Sequence, residues 1–497
     1  MYKIEWDKET GGVLLSSKVS KETLGISPRP VWFEELDLLG LDKLGYVYPQ
    51  SEAPLMWAVN KQYFYRGDLV FQAKGANLYD SATITIMPGF EDLELIPIDV
   101  KKMIERNRDI MFLLESEAIE FIRETFFIYS TASKKFNEIK ANQLDFEAIV
   151  ASIEQKQKRK MAIIKEECDS FDVMPLDIAE QQGKQRLLAT KIDVFLASFS
   201  GGKDSQVVLD LCTRALPPNV FEVIYSDTGY ELPSSLNLYE DVKRHYSALY
   251  PGLKFSTARN HASVLSYWDK IGTPSDTHRW CCSVMKTAPL YRSLKVSGTN
   301  KQAKVLTFDG VRAEESARRG NYERMGKGVK HSTVVNAHPI LYWNTSEIFL
   351  YLFSYALPIN NAYRLGKSRV GCITCPYSSE WDDMIVSRCY GAELEPFISR
   401  IYNWSKQEGV KDLEVYLKER KWKFRASGKF MKISTQVNFK NSPNNFYAQV
   451  KSAKLPITAW LPVLGEFTFF NTSNGFCGDI KYKNTVYSFE VKGDGTD

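Results

Sequence analysis

At 497 residues the chain exceeds one ordinary domain, and two or three are expected. Apolar residues make up 44% and charged residues 25%, which excludes a disordered or collagenous chain and predicts a packed core. A net charge of +4 is too small to mark the whole chain as a nucleic-acid binder, and no apolar run approaches the roughly 20 residues of a membrane span.

Residues 1–100 carry short alternating runs such as "GGVLLSSKV", "KQYFYRGDLVFQAKG" and "ATITIM", broken by Gly and Pro, and predict a β-rich domain. Residues 101–190 are rich in Glu, Lys, Ile, Leu and Ala and nearly free of Gly and Pro. They predict helices, interrupted at Pro175. The basic run "KQKRK" at 156–160 reads as a solvated helix face. From 191 to 395 the strand-like runs "VFLASFS", "VFEVIYSDT" and "KVLTFDGV" are each followed by helical sequence, the pattern of a parallel α/β sheet. Residues 396–497 read as helical and then β-rich, with alternation in "FTFF" and "VYSFEV". The first residues, "MYKIEWDKETGG", lack the basic and apolar regions of a signal peptide, so a cytoplasmic protein without a membrane partner is expected.

The turn after "VFLASF" holds Ser200, Gly201, Gly202, Lys203, Asp204 and Ser205. Two adjacent glycines let the backbone turn tightly and let a ligand approach without meeting a Cβ. Free N–H groups there, continued by the first turn of a helix, form an anion-binding concavity. Lys203 adds a full positive charge, and Ser200 and Ser205 add hydroxyl donors. The pattern is not a Walker A loop, and a carboxylate beside phosphates has to hold Mg2+ or cap the helix. A plain Gly-Gly turn with an Asp cap is the alternative. The next strand ends in Asp227, Thr228 and Gly229, and a third ends in "FDGVRAEESARR" with Arg312, Glu314, Glu315, Arg318 and Arg319. Carboxyl ends of parallel strands are where open α/β sheets bind ligands, and arginines there suit an anionic substrate.

Of eight cysteines, Cys168, Cys212, Cys389 and Cys477 are isolated and read as buried small hydrophobes. Cys281-Cys282 and Cys372-x-x-Cys375, about ninety residues apart, form two close pairs, a common way to assemble a four-thiolate site. Adjacent cysteines usually point apart, which fits a multi-iron cluster better than one tetrahedral zinc. Zn2+ and a redox disulfide remain alternatives.

"SGGKDS" resembles the PP-loop of the ATP pyrophosphatase superfamily. "YSDTGYELP" and "FDGVRAEESARR" resemble segments of its phosphoadenosine phosphosulfate (PAPS) reductase-like branch, and "WCCSVMK" with "CITC" resembles that branch's [4Fe-4S] ligand set. The resemblance covers roughly residues 190–390 and implies an adenine nucleotide α-hydrolase-like fold. It assigns Ser200, Gly201, Gly202, Lys203, Asp204, Ser205, Asp227, Thr228, Gly229 and Arg312 to ATP and Mg2+. Lys203, Asp204 and Asp227 are the catalytic candidates, and Lys286 falls where the branch has a basic residue near the cluster. "PVWFEELDLLGL" and "YFYRGDLVFQAKG" are similar to the N-terminal part of PAPS reductase-family fusion proteins, some with a PUA-like module.

Sulfonucleotide reductases usually have a relaxed PP-loop and a nucleophilic cysteine beside a histidine. This chain keeps the loop complete, and its tail offers only Cys477, beyond the last of its five histidines at His338. The combination is closest in logic to the DNA-phosphorothioation (DndC) family. It implies cleavage of ATP to AMP and pyrophosphate to activate an acceptor, in sulfur transfer or nucleic-acid modification. The acceptor would be a nucleic acid or a protein, and a cysteine desulfurase or another donor would supply sulfur. One alternative is a thiol-dependent adenylylsulfate or phosphoadenylylsulfate reductase. Another is an ATP-bound nucleic-acid-binding adaptor, using flank aromatics (Trp32, Trp57, Phe64, Tyr65, Trp422, Phe446, Trp460) to stack bases.

Overall fold

The computed structural model describes residues 2–138, 146–165, 171–182, 186–187, 192–276, 278–296, 298–327, 333–407, 409–424, 437–442, 445–450, 466–482 and 485–492. The chain opens with a hairpin, β1 (Lys3–Asp7) and β2 (Gly12–Ser16). A five-stranded antiparallel sheet follows in chain order: β3 (Arg29–Val31), β4 (Met56–Val59), β5 (Gln62–Tyr65), β6 (Asp68–Lys74) and β7 (Thr83–Ile86). Helix α1 (Phe33–Leu39) lies between the first two of these strands. Its Glu35 is wholly buried, with Arg29 donating two hydrogen bonds at 2.6 Å and the Tyr63 hydroxyl a third at 2.6 Å. Such a carboxylate is tolerated inside a core only because every partner is in place.

The Gly- and Pro-free stretch forms one 39-residue helix, α2 (Val100–Glu138), and then α3 (Phe146–Gln157). The expectation of helix throughout 101–190 is corrected by a small antiparallel sheet: β8 (Met161–Lys165), β9 (Phe171–Pro175) and β10 (Arg186–Leu187), with α4 (Leu176–Gln181) between the last two. Pro175 ends a strand rather than interrupting a helix. "MAIIK" is short enough to sit in either element, and pairing with β9 decides it.

The central sheet has six strands in the order β13-β12-β11-β14-β16-β15. The first five are parallel and β15 runs antiparallel at the edge. They are β11 (Val194–Phe199), β12 (Glu222–Asp227), β13 (Lys254–Arg259), β14 (Val305–Phe308), β15 (Met325–Lys327) and β16 (Val334–Ala337). Crossovers run through α5 (Lys203–Ala215), α6 (Pro233–Leu249), α7 (Val264–Ile271) and α8 (Ala288–Ser293), and a short α9 (Ala317–Gly320) follows β14. Strand order reverses between β11 and β14, so the carboxyl end of β11 is the topological switch point of the sheet. Helix α5 buries Val207, Val208, Leu211 and Cys212 against this sheet, and stops before Pro217-Pro218.

Helices α10 (Thr345–Ser354), α11 (Asn361–Arg364), α12 (Glu380–Cys389), α13 (Gly391–Gln407) and α14 (Leu413–Lys418) complete this part. The tail forms a hairpin of β17 (Val437–Ser442) and β18 (Asn445–Val450). A three-stranded antiparallel sheet follows, of β19 (Glu466–Thr472), β20 (Gly475–Tyr482) and β21 (Thr485–Lys492). Trp32, Trp57 and Trp422 are buried in cores, which corrects the idea that they stack on bases, and Phe64 stacks on Trp6. Among the described isolated cysteines, only Cys212 is a buried filler. Cys389 is exposed, Cys477 is half-buried, and Cys168 lies outside the described residues.

Candidate functional site

The loop from Ser200 to Ser205 sits at the switch point. Gly201 has φ +74°, a conformation that favours glycine, and Gly202 is the N-cap of α5. The N-cap glycine has no side chain to cap the helix, and the N–H groups of Gly202, Asp204 and Ser205 have no acceptor among the described residues. The hydroxyl of Ser205 instead closes the loop on itself. It donates to the Gly202 carbonyl at 2.8 Å, accepts the Ser200 N–H at 3.1 Å, and lies 3.2 Å from the Ser200 hydroxyl. A rigid turn with outward N–H groups at a helix N-terminus is an anion cradle.

Asp204 does not cap the helix. One of its oxygens is 3.0 Å from the Lys203 ammonium and the other accepts the Arg312 Nε–H at 2.6 Å. Burial pushes the Asp204 carboxyl up, but the charges of Lys203 and Arg312 outweigh it and hold the group below its ordinary value. Burial lowers the Lys203 ammonium, against the pull of Asp204. Arg312 is buried, and its remaining donors reach Glu314, the Trp343 carbonyl and Thr345. The third strand end therefore reaches the loop through Arg312, which organises Asp204 from within the protein. Gly310 makes that approach possible: a Cβ there would lie 2.8 Å from the Asp204 carbonyl carbon.

Further out, Arg319 pairs with Glu315, while Arg318 is exposed. Burial lowers the Arg319 guanidinium, and the like charge of Arg369 lowers it further.

The second segment makes a tight turn. Asp227 accepts the Gly229 N–H at 3.0 Å and faces Arg259 at 3.5 Å. Thr228 and Tyr230 donate their N–H groups to Glu231, which also accepts the Thr228 hydroxyl at 2.6 Å. Gly229 has φ +73°. Glu231 then pairs with Cys372 in an isolated antiparallel bridge, and the Ile373 N–H donates to the Tyr230 carbonyl at 2.6 Å. The Asp227–Glu231 turn and the CxxC segment are thus joined backbone to backbone.

Cys281 and Cys282 enter a single π-helical turn, Cys282–Thr287, which re-aims side chains at the start of α8. Cys281, Cys282, Cys372 and Cys375 form no disulfide among the described residues and are close enough to act on one another electrostatically. A side-chain contact with Cys282 and burial drive Cys281 up. Burial and the neighbouring thiols raise Cys372 and Cys375, and Lys286 opposes the shift at Cys372. Four soft donors in one cluster match zinc or an iron–sulfur cluster. Among the described residues no group of three or more His, Cys, Asp or Glu side chains converges as tightly as a single metal ion requires.

Sequence reasoning missed Asn360, Tyr363, Glu231 and Gly310. The Asn360 amide donates to the Gly201 carbonyl at 2.9 Å, and the Lys203 N–H donates to the Tyr363 hydroxyl at 3.0 Å. The Lys203 ammonium lies 5.1 Å over the Tyr363 ring. Gly310 stands inside the quoted "FDGVR" stretch, and its place at the end of a strand-like run was the available signal.

Residues 195–378 match the family model of the phosphoadenosine phosphosulfate reductase domain. An uncharacterized protein of Methanocaldococcus jannaschii is 34% identical over 184 residues, 36% of each chain. The adenosine 5'-phosphosulfate reductase of Staphylococcus haemolyticus is 24% identical over 185 residues, 37% of this chain and 70% of that one. The crystal structure of phosphoadenylyl-sulfate reductase from Candida auris, a phosphate complex, is 21% identical, covering 36% of this chain and 80% of that one, with a TM-score of 0.28. The chain spans 36% and 44% of the length of two Methanocaldococcus jannaschii relatives it matches.

Proposed function

We propose that this chain binds ATP at the Ser200–Ser205 loop and cleaves it to AMP and pyrophosphate, activating an acceptor for sulfur transfer or nucleic-acid modification. The observation that carries the reading is the first turn of α5, where the N–H groups of Gly202, Asp204 and Ser205 have no acceptor among the described residues, beside Lys203 at the switch point of the sheet. The N–H groups of Gly202, Asp204 and Ser205 would hold the β- and γ-phosphates, with Lys203 and the arginines at the strand ends balancing their charge. Asp204 keeps Lys203 and Arg312 in place. Cleavage between the α- and β-phosphates leaves AMP on the acceptor as a good leaving group. The task of the chain is then to stabilise charge on the departing pyrophosphate with fixed donors. Mg2+ arriving with ATP would neutralise phosphate charge, with Asp227 as the protein carboxylate available to it. A [4Fe-4S] cluster on Cys281, Cys282, Cys372 and Cys375 would supply a soft site for sulfur next to the activated group.

The sulfonucleotide-reductase alternative needs a nucleophilic cysteine. Cys477 lies mid-strand opposite Phe470 and Glu490, neither of which offers positive charge to a thiolate.

Anaerobically purified protein with ATP and candidate acceptors (tRNA, DNA, protein) should release AMP and pyrophosphate. Lys203→Ala should abolish the release. ADP and phosphate as the only products would overturn the reading.

A further inference from the structure

We infer that Asn360 is a positioning residue of the phosphate loop, a lock on the peptide between Gly201 and Gly202. The inference rests on the pyrophosphate reading above and adds a residue that lies in none of the motifs.

A trans peptide is planar, so its C=O and N–H point in opposite directions. A peptide flanked by two glycines is the easiest to turn over, because both residues tolerate the φ/ψ values of either orientation. In this loop one orientation is held. The Asn360 Nδ2 donates to the Gly201 carbonyl at 2.9 Å and to the Ser235 hydroxyl at 3.0 Å, while its Oδ1 accepts the Ala362 N–H at 3.0 Å. With its amide engaged three ways and 2% of its surface exposed, the side chain cannot rotate without losing all three bonds. Ser235 closes the same side, since a Cβ on Gly201 would meet the Ser235 Cβ at 3.2 Å. The carbonyl therefore faces Asn360, and the Gly202 N–H faces the opposite side of the loop. Gly202 is buried, and that N–H has no acceptor among the described residues. A buried donor held in one direction without a partner is a place made for an acceptor that arrives with a ligand. Turning the peptide over would put a carbonyl oxygen where a phosphate oxygen is to sit.

Asn360→Asp tests this. It keeps the shape and the acceptor for Ala362, but sets a carboxylate oxygen against the Gly201 carbonyl. Pyrophosphate, titrated into the full-length protein by calorimetry, should bind about tenfold or more weakly, the scale of losing one hydrogen bond to a charged group. A second measurement does not depend on the variant folding. The chain has two Gly-Gly peptides, 11–12 and 201–202. Labelling glycine with 13C at the carbonyl and 15N at the amide therefore leaves two carbonyl-correlated amide signals. Saturating pyrophosphate should move the Gly202 signal and leave that of Gly12 in place. Affinity of Asn360→Asp within about twofold of wild type, or a Gly202 signal unmoved by bound pyrophosphate, would overturn the inference. A wild-type protein that binds neither pyrophosphate nor ATP would overturn the pyrophosphate reading itself, a result distinguishable from either.

Discussion

Adding one methyl group at Gly310 strikes the site from behind. Its backbone is not in the left-handed region, so alanine brings no conformational strain of its own, and the effect is purely steric. The new Cβ would stand 2.8 Å from the Asp204 carbonyl carbon, 2.9 Å from its Cβ and 2.9 Å from the Ser205 nitrogen, where ordinary contact begins at 3.4 Å. All are backbone or near-backbone atoms of the first turn of α5. The turn or the end of β14 must retreat by the difference, 3.4 − 2.8, about 0.6 Å. Overpacking of this kind costs about 1–3 kcal/mol of stability. Misplacing a binding group by roughly 1 Å is worth up to about a hundredfold, so a loss of about tenfold or more in pyrophosphate affinity is expected. Thermal unfolding and calorimetric titration of Gly310→Ala measure the two effects separately. A variant with wild-type melting temperature and wild-type affinity would refute the claim that the strand end and the phosphate loop are packed at this distance.

Glu347 provides a pH signature. Its carboxyl is buried in the capping box of α10, accepts the Asn344 N–H at 2.6 Å, and is pushed by burial from 4.5 up to about 7. Between those values the native state holds a proton that the unfolded chain releases, so stability falls as pH rises from 4.5 to 7, by an amount on the order of 3 kcal/mol. Glu347→Gln should flatten this part of the stability–pH curve, and an unchanged slope would count against it. Glu35→Ala should destabilise the chain by about 3–5 kcal/mol in denaturant unfolding, because Arg29 and Tyr63 lose their buried partner. A loss below about 1 kcal/mol would show that water replaces the carboxylate. Anaerobically purified protein should contain iron and acid-labile sulfide in equal amounts, and Cys282→Ser or Cys372→Ser should lose both. Zinc-loaded, iron-free protein would overturn the cluster.

The Ser200–Ser205 loop was legible in the sequence as a strand-to-helix turn because its residues are contiguous: two glycines, a lysine and two serines stand between a strand and a helix. The parallel sheet was legible for a similar reason, since each apolar run is followed by helical sequence. The partners that give the loop its geometry were not. Asn360 and Tyr363 lie some 160 residues from the loop and carry no pattern, and only folding brings α11 against α5. Arg312 was legible as an arginine at a strand end, but its partner Asp204 was not, because an arginine there reads alike whether it meets a substrate or a buried aspartate. The strands of 161–187 were hidden because short apolar runs suit either period, and strand pairing chooses between them.

The stretch from Asn360 to Cys372 can be viewed as a ruler. One end is pinned at the Gly201 carbonyl, the middle at the Lys203 N–H, and the far end at Glu231 through a backbone bridge. A residue added or removed between those pins would pull either the glycine peptide or the cysteine pair out of place. Length here is fixed by geometry, whatever the identity of the intervening side chains. This stretch sets the distance between the Ser200–Ser205 loop and the Cys372 segment.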